Sequence, residues 1–149
     1  MAKLWFAFIA IAVASIPVRA SHAQVFPPGT FVIDGYPVSC GGAPTVLIPS
    51  LPDAAMNNGQ AIAINPIVVQ QLPTVLKLFT YAHECGHFFS GADELGADCW
   101  AIRIGRDQGW FPPEAFQFLI QLFQGNPGNI NHPPGPIRIQ NMLNCYQTQ

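Results

Sequence analysis

His83-Glu84-Cys85-Gly86-His87 gathers within five residues the side chains that a divalent metal and a water-activating base require. On a helix, residues four apart lie on one face, so His83 and His87 present two imidazoles to one point while Glu84 sits beside them. Glu94-Leu95-Gly96-Ala97-Asp98 follows, with a second acidic pair at the same spacing. A second helix running past the first would supply Glu94 as a third ligand and Asp98 as the acceptor for the second ring proton of a ligand, for which His83 is preferred. Two neutral imidazoles and one carboxylate hold Zn2+ with one position open to water. The ion lowers the pKa of that water towards about 7 and polarises a substrate carbonyl. Glu84, adjacent but not a ligand, takes the water proton and returns it to a leaving amine. Asp93 is a rival third ligand, ranked below Glu94 because position 97 is Ala and offers it no acidic companion. The bland alternative is a surface helix with incidental His and Glu.

Composition sharpens this reading. Charged residues make up only 9% of the chain, against about 25% in ordinary domains. Glu84 and Glu94 are two of only three glutamates, and beyond His22 only His132 lies outside the His83–His87 pair. Acidic residues outnumber basic ones, so there is no basic patch for nucleic acid.

The segments that must position these groups are legible in outline. Lys3, the apolar run 4–16 and small residues near Ala20 and Ala23 read as an export leader at 1–23, with cleavage after Ala20 or Ala23. A membrane anchor is the alternative, although the run falls short of the roughly 20 residues needed to span. Residues 24–149 then form a single domain without a further span, periplasmic or secreted. Cys40, Cys85, Cys99 and Cys145 suit an oxidising compartment, where two disulfides are expected with the pairing open. No Cys-x-x-Cys supports a cysteine-based zinc site. Steps of about 100° per residue place Cys85 on the far side of the helix from both histidines, facing the core.

Short strands are expected at 30–33, 45–48 and 61–64, with turns at Asp34-Gly35 and Asn57-Asn58-Gly59. The strand at 61–64 is either a sheet edge along which an extended peptide adds or an ordinary buried strand. Helices are expected from Pro73 to Ser90, closed by Gly91; from an Asp93 cap to about Arg106; over 114–124; and over 137–146. The fold class is therefore α+β: short N-terminal strands packed on an active-site helix pair, followed by C-terminal helices. Gly86, Gly96 and Ala97 would let that pair approach closely.

His83-Glu84-x-x-His87, Glu94-x-x-Ala97-Asp98 and Asn131-His132-Pro133-Pro134-Gly135-Pro136-Ile137-Arg138 together resemble the gluzincin family of the CaaX prenyl protease and the bacterial heat-shock and periplasmic housekeeping peptidases. The resemblance implies a small zincin-like domain, Zn2+ and a polypeptide substrate. It also implies that His132 and Arg138 line the active cleft as catalytic residues, aiding the oxyanion or gating the metal. Asn131 stands where that family usually has Thr, and the interval from His87 to Glu94 is shorter than is usual there. The expected function is an exported zinc-dependent endopeptidase with Glu84 as general base. A non-catalytic zinc-binding interaction domain and a latent peptidase closed by His132 are the alternatives.

Overall fold

The computed structural model describes residues 23–148. The expected leader, apart from Ala23, lies outside the described residues. Six short strands come first: β1 (Gln24–Phe26), β2 (Phe31–Ile33), β3 (Tyr36–Val38), β4 (Thr45–Leu47), β5 (Ala55–Asn57) and β6 (Ile62–Ile64). Helices α1 (Pro66–Val69), α2 (Thr74–Ser90), α3 (Glu94–Asp107), α4 (Phe116–Phe123) and α5 (Gly135–Gln147) follow, with a 3-10 turn at Pro113–Ala115 leading into α4. The fold is mixed α+β. Among the described residues no helix is long and apolar enough to cross a membrane.

Strands β1, β4, β6 and β5 form one sheet in that order; β4 and β6 are parallel and the other pairs antiparallel. β2 and β3 form a separate hairpin across Asp34-Gly35. Both turn residues have positive φ, 47° and 90°, as the tightest hairpin turns require. β6 is not a sheet edge. Ile62, Ala63 and Ile64 are all buried between two neighbours, as a continuous apolar run suits. The edge on that side is β5, whose Ala-Met-Asn lacks the β-branched character that marks a strand in sequence; β1 is the other edge.

α2 lies at the centre and packs on two sides. Leu76, Phe79 and Ala82 meet a cluster with Ala101, Ile102, Phe111, Leu119, Phe123 and Met142 from the helical half. Leu78, Tyr81 and Cys85 meet Ile33, Ala55, Ile62 and Ile64 on the sheet side. A third stripe, carrying Thr80, Glu84 and His87, remains for other work. Disulfides join Cys40 to Cys85 and Cys99 to Cys145. The first ties α2 to the loop before β4, with Cys85 facing inward, and the second ties α3 to α5.

The approach of α2 to α3 depends on one small residue. A Cβ at Gly86 would fall 2.8 Å from the Ala97 Cα, so any larger side chain would push the helices apart. At the far end of α2, Gly91 adopts φ 62° and reverses the chain. Asp93 then caps α3, its Oδ1 accepting from the Leu95 N–H at 3.1 Å. Gly135 lies so close to the Phe123 carbonyl that no side chain fits there, which docks the start of α5 against the end of α4.

Candidate metal centre

Glu94 occupies the first turn of α3, where the helix dipole favours a carboxylate, and it faces the exposed stripe of α2. His83 Nε2 lies 3.1 Å from His87 Nε2 and 3.4 Å from Glu94 Oε2, while His87 Nε2 lies 3.5 Å from Glu94 Oε1. A tetrahedral ion held at about 2.0–2.1 Å by its ligands requires donor separations of roughly 3.3 Å. The three side chains therefore share a point that such an ion would fill. They form the group able to hold a metal among the described residues.

The hydrogen bonds behind the ligands settle which ring atoms face that point. His87 Nδ1 lies 2.6 Å from the Gly91 carbonyl oxygen, an acceptor only, so Nδ1 carries the proton and Nε2 offers a lone pair. His83 Nδ1 lies 3.0 Å from Asp98 Oδ1, which likewise leaves Nε2 unprotonated in the neutral ring. That approach is bent, so Nδ1 has no well-aligned partner, and buried Glu94 Oε2 has no hydrogen-bond partner either. Two lone pairs facing each other at 3.1 Å beside an orphaned carboxylate oxygen repel unless a metal ion or a proton lies between them.

The charge balance agrees. Asp98 is fully buried and takes a bidentate pair from Arg138, Nε to Oδ2 at 2.8 Å and Nη2 to Oδ1 at 2.6 Å. Arg138 Nη2 also lies 3.6 Å from Glu94 Oε2, and its guanidinium covers the Phe123 ring at 4.6 Å. With both imidazoles neutral, Glu84, Glu94 and Asp98 face a single permanent cation, so the cluster carries an excess of two negative charges. A divalent ion restores neutrality. In the metal-free protein His83 takes up part of this excess. Burial opposes its charging, but Asp98 and Glu94 outweigh burial and push its pKa up to about 9. For Glu94 and Asp98, burial favours the neutral acid, yet His83 and Arg138 hold both carboxyls below their ordinary range.

Glu84 lies beside the triad on the same cleft. Burial pushes its carboxyl pKa up, against the pull of the two histidines, as suits a group that must accept a proton. Asn57 Nδ2 donates to the Glu84 backbone carbonyl at 2.7 Å, pinning the edge strand to the metal helix. The cleft measures about 720 Å3 and runs between β5, with Asp53 to Asn57 on its wall, and the end of α4, with Leu122 and Phe123. A smaller cavity of about 230 Å3, lined by Tyr81, Trp100 and Trp110, lies on the opposite side of α2.

Of the sequence-expected residues, the structure brings His83, His87 and Glu94 together, with Asp98 against His83 as expected. Asp93 is engaged as a helix cap. His132 reaches the rim, its Nε2 3.6 Å from Glu94 Oε1, but it stands outside the close-set triad. Its Nδ1 faces Asn129 Oδ1 at 3.3 Å, which turns Nε2 towards the site. Arg138 lines the cleft and is 6% exposed, with its Nε and Nη2 paired with Asp98. Asn57, Asn129 and the Gly91 carbonyl were not anticipated. Asn57 read only as a turn residue, and nothing local signals its contact with Glu84.

No family model, characterised protein or solved structure matches the chain. Chemistry must therefore be argued from the site alone. The arrangement defines a group of two histidines and one carboxylate that could hold a metal ion, opening onto a cleft.

Proposed function

We propose that the protein is a zinc-dependent endopeptidase acting in an oxidising, extracytoplasmic compartment. The observation that carries this reading is the convergence of His83, His87 and Glu94, whose nearest donor atoms lie 3.1–3.5 Å apart pair by pair, with Glu84 alongside and a free strand edge next to it. The ion supplies an acidic water and a polarised carbonyl when bound. Histidine and carboxylate donors with one position left open favour zinc in catalytic use.

The remaining steps belong to the chain. β5 pairs with β6 so that Met56 lies opposite Ala63, and the flanking bonds run from the Asn65 N–H to the Ala54 carbonyl and from the Asn58 N–H to the Ala61 carbonyl. Antiparallel pairing alternates, so the backbone groups of Ala55 and Asn57 point the other way, to the unpaired edge. An extended peptide would add there as a further strand. Glu84, one helix over and joined to β5 through Asn57, would take a proton from water and deliver it to the departing amine. Asp98 and Arg138 keep the His83 ring in the tautomer that presents Nε2.

The test is metal analysis of the oxidised protein together with a Glu84→Gln assay on an unfolded polypeptide. Stoichiometric zinc with hydrolysis lost by at least about a hundredfold is expected; undiminished cleavage by Glu84→Gln removes Glu84 as the base. A second reading, a latent enzyme closed by His132, draws on the 3.6 Å approach of His132 Nε2 to Glu94. His132→Ala raises activity if the ring closes the site and lowers it if the ring assists the reaction.

A further inference from the structure

The cleft has an apolar wall that the metal chemistry does not use. It starts at the metal ligand itself: the Phe79 ring, one turn before His83, lies 6.0 Å from that imidazole. Phe123 meets Phe79 edge-on at 6.4 Å, and Leu122, the next residue along α4, stands on the same cleft. Leu122 is 50% exposed and, on the strand side, Met56 is 39% exposed. Both line the cleft, so the chain leaves aliphatic surface in water where a ligand would cover it. The charged groups lining the cleft are chiefly acidic, namely Asp53, Glu84 and Glu94, while the guanidinium of Arg138 is already paired with Asp98.

We propose that exposed Leu122, backed by the buried rings of Phe79 and Phe123, forms a specificity subsite that receives a large aliphatic or aromatic side chain of the substrate beside the bond held at the metal. This rests on the peptidase reading and adds a substrate class to it. An aliphatic side chain entering the subsite removes its own surface and that of Leu122 from water. An acidic side chain would leave water for an apolar wall that offers its charge no partner, so it is rejected.

Binding to the zinc-loaded Glu84→Gln full chain tests this without hydrolysis. The probes are four peptidyl hydroxamates, identical except for Leu, Phe, Asp or Lys beside the metal-binding group, titrated by calorimetry. The Leu and Phe probes bind at least about tenfold more tightly than the Asp probe. Leu122→Asp, with its zinc stoichiometry checked, lowers affinity for the Leu probe about tenfold and brings the Lys probe level with it; Leu122→Ala lowers the Leu affinity less. Equal binding of all four probes, or an unchanged Leu preference in Leu122→Asp, overturns the subsite and leaves the peptidase reading standing. Failure of the protein to hold zinc, or to bind any hydroxamate, removes both.

Discussion

Asp98 shows how a residue that would never touch substrate governs the site. It takes a bidentate pair from Arg138 and faces the ring of His83, all without exposure to water. Asp98→Asn keeps the shape but removes the charge that orients His83, so zinc affinity should fall about 10- to 100-fold in a chelator competition. Arg138→Met leaves a buried carboxylate without its partner and should cost about 3–5 kcal/mol, read as a lowered midpoint in chemical unfolding. Arg138→Lys should recover only a minor part, because a point charge cannot reproduce the fork that meets both oxygens. An unchanged midpoint in Arg138→Met would mean that the pair is not buried in solution.

At the scale of elements, the site exists because three segments are pulled to one place by separate ties. Gly86 sets how near α3 comes, Cys40–Cys85 fastens the metal helix to the strand half, and Cys99–Cys145 fastens α5, with Arg138, to α3. Gly86→Ala should separate the helices by several tenths of an ångström. Misplacing Glu94 from the histidines should weaken zinc binding more than it lowers stability. Each disulfide spans 45 or 46 residues, so replacing the Cys99–Cys145 pair by alanines should cost about 2–5 kcal/mol of stability. Zinc retained with wild-type affinity in that double variant would show that α5 docks correctly without its covalent tie. Two disulfides also fit a chain that matures in an oxidising compartment.

Across the whole molecule, metal and proton compete for the same excess of negative charge. In the metal-free protein the raised His83 pKa means that the folded state binds the proton more tightly than the unfolded chain. The stabilisation is fully present below about pH 6.5 and is lost as pH rises through about 9, a change on the order of 3 kcal/mol. Thermal melts of the metal-free protein should therefore fall by roughly 10 °C over that window. The zinc form, whose ring must be neutral throughout, should stay nearly level there. Metal uptake below about pH 9 should release a proton, so apparent zinc affinity rises with pH in the same range. Parallel melting curves for the two forms would show that His83 does not hold the proton.

The metal helix and its cap were legible in the letters because their causes are local. Four-residue spacing puts His83 with His87, Asp93 stops one turn and starts another, and Gly91 permits the reversal. The inward direction of Cys85 followed from the same helical geometry. Distant pairings were not legible. Cys40 with Cys85, Arg138 with Asp98 and Asn57 with Glu84 join residues 27 to 45 positions apart, and which strand becomes the edge beside the cleft depends on the same packing. A pattern within one segment cannot say which other segment it meets; that choice belongs to the packing of α2 between sheet and helices, where burying both apolar faces at once leaves its histidine stripe turned towards Glu94.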